Sequence, residues 1–193
     1  SIGLAVTLGA IGLGLIAFNA GAATGLNVSG DQTNNDGWAM RGRSVAALGI
    51  LNKDHFKVGT SPAFFFKVQF SIADVSGIDD LRCGFAKVEA HNADPDALDE
   101  LATMACMAGD IKTQTIINGA STVATDLTAA TAADWADRAT HTFKILVSAA
   151  GVVTYELDDT TPTGALAYTF ADELLVTPMW YHRHGADEGG VLI

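Results

Sequence analysis

Cysteine is scarce in this chain, with only Cys83 and Cys106 among 193 residues. Two thiols cannot form the multi-bridge framework that staples small secreted domains. Neither lies in a Cys-x-x-Cys or near a histidine at metal spacing, so each reads as a small hydrophobe in a core, with a single bridge as the alternative. Positive charge is also short. Eleven Lys and Arg face 22 Asp and Glu, a formal net charge of -11. Phosphate backbones need clustered cations, so nucleic acid is excluded as a direct partner. Charged residues make up 17%, below the roughly 25% of ordinary soluble domains. There is no G-x-S-x-G elbow, and no P-loop or dinucleotide fingerprint despite 20 glycines. The residues therefore commit to no catalytic site, no resident cofactor and no metal centre.

What is present is β patterning. Residues 140–158 read as a hairpin: His141, Phe143, Ile145 and Val147 point one way, Thr142, Lys144 and Ser148 mostly the other. The turn Ala149-Ala150-Gly151 leads into Val153, Tyr155 and Leu157, which alternate with Thr154, Glu156 and Asp158. The run 64–72 is the cleanest strand, with Phe64, Phe66, Val68, Phe70 and Ile72 on one face and Phe65, Lys67, Gln69 and Ser71 on the other. Further apolar runs recur at 37–51, 80–89, 103–108, 110–118, 121–127, 163–170 and 175–184. Many strands at near-regular spacing predict an all-β sandwich or jelly roll with one core. One segment reads as helical: Asp94-Pro95 starts it, Leu98 and Leu101 lie three apart, and Asp96, Asp99 and Glu100 fill its first turns. Residues 129–138 around Trp135 predict another short helical turn.

Residues 1–30 carry no charged side chain. A run of ~20 apolar residues can span a bilayer, and a processed leader is the other reading, although no Lys or Arg precedes the apolar stretch. Gly3, Gly9, Gly12, Gly14, Gly21, Gly25 and Asn19 interrupt the run, and Leu4, Val6 and Leu8 alternate, which favours extended arm or strand structure. The polar stretch 27–36 then joins an apolar arm (1–36) to the body (37–193).

Several clusters invite chemistry. His182 and His184, two apart on a strand, share a face and could offer a metal two nitrogens, with Asp187 or Glu188 adding oxygen. No third His or Cys stands at a helpful spacing and Arg183 adds positive charge, so packing or surface hydrogen bonding is the expected role. Trp38, Trp135, Trp180 and Tyr181 could stack on sugar rings, but in a sandwich of this size large aromatics usually anchor the core; Trp135 and Trp180 are expected there.

The order of elements resembles the concanavalin A-like (laminin G-like) jelly roll. The likeness rests on FFFKVQFSI up to Ile72, on LRCGFAKV from Leu81 to Val88, and on Trp135 followed by His141-Thr142-Phe143-Lys144-Ile145 and Gly151-Val152-Val153-Thr154-Tyr155. It spans about 37–193. In texture and organisation the chain is similar to tailed-bacteriophage proteins that decorate or cement a capsid. That resemblance implies a non-enzymatic virion structural protein on the capsid surface, with an N-terminal arm and with partners that are copies of itself and a major capsid protein. The alternative it implies is a lectin-like carbohydrate-binding module. Lectins of this superfamily often hold calcium with loop carboxylates, which directs attention to Asp94, Asp96, Asp99 and Glu100 and to Asp31, Asn34, Asn35 and Asp36. Neither run has the ordered spacing of a calcium loop; the expected roles are a helix start and a solvated turn. Some enzymes of the superfamily place both glycosidase carboxylates on one strand, as in Glu-x-Asp-x-x-Glu; here the nearest run, Glu156-Leu157-Asp158-Asp159, lacks the second Glu.

Overall fold

Alternating apolar residues need two sheets to bury them, and two sheets form. The computed structural model describes residues 4–8, 14–19, 25–30, 37–42, 55–90, 92, 94–107, 109–127, 135–184 and 191–192. Their strands are β1 (Leu4–Leu8), β2 (Gly14–Asn19), β3 (Gly25–Gly30), β4 (Gly37–Gly42), β5 (Phe56–Lys57), β6 (Phe64–Ile72), β7 (Ile78–Lys87), β8 (Leu101–Met107), β9 (Asp110–Ile116), β10 (Val123–Asp126), β11 (Thr140–Val147), β12 (Val152–Leu157), β13 (Tyr168–Thr169), β14 (Leu175–His184) and β15 (Val191–Leu192). An eight-stranded sheet runs β1-β4-β14-β7-β8-β9-β10, with β5 also on β14; a seven-stranded sheet runs β13-β12-β11-β6-β15-β3-β2. The pairings are antiparallel. The fold is the jelly-roll β-sandwich that the patterning predicts.

The charge-free stretch is extended in its described parts, as its alternation predicts. Its hydrogen-bonding partners are the chain's own: β1 lies on β4, and the β2–β3 hairpin joins the seven-stranded sheet through β15. Among the described residues no helix is long and apolar enough to cross a membrane.

The core lies between the sheets. Leu81, Cys83 and Phe85 of β7 meet Phe70 and Ile72 of β6 and Phe143, Ile145 and Val147 of β11. Trp135 is fully buried, its ring centroid 4.7 Å from Phe70 and 5.4 Å from Phe143, and its Nε1 donates to Ala139 O at 3.1 Å. Trp180 is also core, as expected. Both cysteines are free and buried; burial raises the Cys83 thiol well above its usual value and pushes Cys106 up to about 12. Neither is a nucleophile at neutral pH. Pro178 sits inside β14 without breaking it. It falls between the stretch facing β5 (Leu175, Val176) and the stretch facing β4 (Met179–Arg183), so its missing N–H costs no ladder bond on that side.

The 140–158 hairpin forms with the anticipated register, Val147 opposite Val153 and Ile145 opposite Tyr155. Its turn depends on Gly151, which has φ +85 and approaches the Phe170 carbonyl so closely that an added Cβ would lie 2.3 Å from that oxygen. Gly151→Ala is therefore expected to cost on the order of 1–3 kcal/mol through strain and displacement. Urea denaturation would measure the loss, and an unchanged midpoint would refute the account.

The helix expected from Asp94 does not form. Asp94 caps and Pro95 starts a single 3-10 turn, Pro95–Ala97, and Leu98 then turns extended at ψ 153. Continuing the helix would remove Leu101 from β8, where it faces Ala86 and Ile116. Tertiary pairing outweighs a good local start. Around Trp135, the described residues make only a turn, with Ala139 N–H donating to Ala136 O at 3.0 Å.

Candidate functional site

Strand alternation places charge on the outer face of the eight-stranded sheet. Because Leu81, Cys83 and Phe85 face the core, Asp80, Arg82 and Gly84 face away from it. Arg82 stands opposite Tyr181 on one side and Ala105 on the other, and Ala105 opposite Lys112. Arg82 and Asp80 are nonetheless almost completely buried. Leu98 helps cover this face, packing on Ala86, Leu101, Ile116, Met179, Tyr181 and Ala39.

Polar contacts hold that cover down. Arg82 Nε and one Nη donate to the two carboxylate oxygens of Asp80 at 2.8 and 2.7 Å, a bidentate fork. The other Nη donates to Asp96 Oδ1 at 2.8 Å, and Thr122 Oγ1 donates to the same oxygen at 2.5 Å. Gly119 N–H donates to Asp99 O, and Lys87 Nζ to Asp99 Oδ2 at 2.6 Å. Arg82 thus ties β7 to the 94–99 segment, while Thr122 and Gly119 tie that segment to the β9–β10 turn. Asp96 remains half exposed, with 52% of its side chain accessible.

The electrostatics follow from burial and partners. Burial raises the Asp80 carboxyl against the pull of Arg82. For Arg82, burial works against the charge, but the bonds to Asp80 and Asp96 outweigh it and its pKa rises. We take both groups as charged, because the fork satisfies both carboxylate oxygens. Burial also opposes ionisation of Asp96, but Arg82 and Thr122 prevail and its carboxyl is held below the usual 3.8. Arg183 lies 3.6 Å from Asp79 and completes the charged rim.

The residues singled out for metals do not converge. Asp94 accepts the Asp96 N–H as a cap, Asp96 accepts from Arg82 and Thr122, Asp99 from Lys87, and Glu100 from the Tyr168 hydroxyl. These four carboxylates serve separate partners. Among the described residues no three His, Cys, Asp or Glu side chains group to hold a metal ion. His182 is buried, and the register shift between Arg183 and His184 leaves Asp79 of β7 as the extra residue. The side chain of His184, and residues 31–36, 187 and 188, lie outside the described residues, as does the side chain of Trp38. Glu156 is paired with Lys144 at 2.9 Å, while Asp158 accepts from Thr142 N–H and meets His141 Nδ1 at 2.7 Å.

Sequence reasoning passed over Arg82, although the signal was there. Asp80-x-Arg82 places opposite charges on one face of a strand whose other face is Leu81, Cys83 and Phe85, and such a pair needs a reason to be there.

This architecture defines a class of fold, the lectin-like concanavalin A-like jelly roll. The structure is similar to that of the potassium-bound carbohydrate-recognition domain of Emp46p, with TM-score 0.62 and 8% identity over 97% of this chain and 85% of that one. It is similar to the carbohydrate-recognition domain of Emp47p, with TM-score 0.59 and 10% identity over 98% and 85%. It also matches alginate lyase A1-II', of polysaccharide lyase family-7, with TM-score 0.54 and 12% identity over 91% and 78%. No family model and no curated protein matches the sequence. The same fold thus hosts both recognition and catalysis, and fold alone does not separate them. These matches lend nothing to the capsid-decoration reading.

Proposed function

We propose that this protein is a carbohydrate-binding, lectin-like module whose glycan site lies beside Asp96 and Thr122, on the outer face of the eight-stranded sheet. The observation that carries the reading is Asp96: an ionised, half-exposed carboxylate held in place by a buried arginine and a threonine hydroxyl. A fixed carboxylate accepts hydrogen bonds from sugar hydroxyls with little ordering cost, and charge-assisted bonds are the strong ones. A chain of net charge -11 suits neutral rather than anionic sugars. The likeness to carbohydrate-recognition domains supports the same reading. Trp135 and Trp180 take no part, being core.

A glycan array followed by calorimetry on the best neutral oligosaccharide tests the proposal. Saturable binding is expected, and Asp96→Ala should weaken it about tenfold or more, the loss of one charge-assisted bond. Absence of glycan binding, or an Asp96→Ala variant that binds like the wild type, would overturn it. The depressed Asp96 carboxyl also sets a pH profile. Its charge, and the stabilisation from its bonds to Arg82 and Thr122, are fully present above the usual 3.8 and lost as pH falls through its lower folded value. Affinity should hold from neutral pH down to that region and then fall; a drop centred near pH 6 would point to a histidine instead.

A further inference from the structure

We propose that the site beside Asp96 takes a sugar carrying a free amine, its ammonium on the open carboxylate oxygen of Asp96 and a neighbouring sugar oxygen on the Tyr181 hydroxyl. The inference rests on the glycan reading and names the class of sugar. Its first ground is an excess of negative charge. Asp79, Asp80, Asp94 and Asp96 are four carboxylates around two guanidinium groups, Arg82 and Arg183. Arg82 is forked onto Asp80 and shared with Asp96, Arg183 faces Asp79, and the nearby Lys87 is held by Asp99. Asp94 has no cation among the described residues.

Tyr181 supplies the second ground. Trp180 faces the core, so Tyr181 faces outward, opposite Arg82 in the register and packed with Leu98. The residue is only 7% exposed, yet its hydroxyl makes no hydrogen bond among the described residues. A tyrosine this buried ordinarily gives its hydroxyl a partner. The charges that act on the phenol are those of Arg183, Asp80, Arg82 and Asp94, which places the hydroxyl at the rim of the site. Burial raises its pKa, so at neutral pH it keeps its proton and is a donor.

These groups choose the ligand's chemistry. Arg82 and Thr122 both bond to Asp96 Oδ1, which leaves Oδ2 open on a half-exposed side chain. Asp94 Oδ1 accepts the Asp96 N–H at 3.0 Å, and its second oxygen is open too. Both carboxylates accept and neither donates. Sugar hydroxyls satisfy them, but an ammonium brings three donors and also offsets the excess charge. The same excess repels a uronic acid or a sulfated sugar.

Calorimetry of the full chain tests it with oligosaccharides of glucosamine, galactosamine and mannosamine, each beside its N-acetylated form and its hydroxyl counterpart. In at least one series the amine should bind about tenfold or more tighter than the hydroxyl form, the gain of a hydrogen bond between charged groups. That preference should shrink as salt rises. Asp94→Asn keeps the capping oxygen but removes the charge, and should lower the preference several-fold. Tyr181→Phe keeps the ring under Leu98 and should weaken the amine and hydroxyl forms alike. The proposal is overturned if amines bind no better than hydroxyl forms in every series, if Asp94→Asn leaves the preference intact, or if Tyr181→Phe binds like the wild type. Where hydroxyl forms still bind and lose affinity in Asp96→Ala, the glycan reading survives that failure. Binding of no form in any series would overturn both.

Discussion

Arg82→Ala should cost about 3–5 kcal/mol of stability, because it strands a buried carboxylate. Asp80 keeps 2% side-chain exposure in the intact pair, and both its oxygens are satisfied by the guanidinium. Without Arg82 it is left a buried charge with its main partner gone. The same substitution removes one tie of the 94–99 cover to β7, the bond to Asp96, and leaves the Lys87–Asp99 pair. The size of the loss reflects a missing partner rather than a strong pair. Replacing both residues, as Arg82→Met with Asp80→Leu, should recover most of it. The Asp80 carboxyl is already raised by burial, and removing Arg82 raises it further. A group whose folded pKa lies above its unfolded value binds protons better when folded, so the Arg82→Ala deficit should shrink as pH falls. Urea denaturation at neutral and acidic pH measures both effects. A deficit below about 1 kcal/mol would mean that Asp80 finds water in the native state, at odds with its burial.

Trp135→Ala should be comparably severe, about 3–5 kcal/mol. The indole fills the end of the core between Phe70, Phe143 and His141, with centroids at 4.7, 5.4 and 4.5 Å. Its backbone N–H donates to Gly109 O and its ring N–H to Ala139 O, so it links two loops as well as filling volume. Truncation leaves a cavity ringed by rigid aromatics that cannot collapse into it. For a chain of this size the melting temperature should fall roughly 10 °C. Trp135→Phe keeps most of the volume but loses the ring N–H, and should fall between wild type and alanine. A Trp135→Ala melt within about 2 °C of wild type would show that this end of the core is not closely packed.

The body of the sandwich was legible in the sequence because period-two alternation survives wherever one strand face is buried. The 140–158 hairpin and β6 show this best: Phe143, Ile145 and Val147 are buried, while Phe65, Lys67 and Gln69 are exposed. The 94–101 segment was misread because its cap and acidic first turn are sound local helix signals, and only the β8 ladder overrides them. The candidate site was harder to see. Its central residue, Arg82, is separated in sequence from Asp96 and Thr122, and no local pattern announces that a turn will fold over the outer face of a sheet and bury it. The carboxylates did stand out, but as a group. That Asp96, Asp99 and Glu100 each serve a different partner is a property of the cover's path, which spacing does not encode.

β15 lies between β6 and β3, hydrogen-bonded to both. Among the described residues, β2 and β3 therefore reach the seven-stranded sheet through Val191 and Leu192. For synthesis on a ribosome this fixes a schedule. The β2–β3 hairpin is made well before Val191 and Leu192, its neighbours in the sheet. Until then a charge-free, Gly-interrupted segment waits without its neighbour, while β6, β11 and β12 can already pair. The β3–β15 seam thus joins residues made far apart in time.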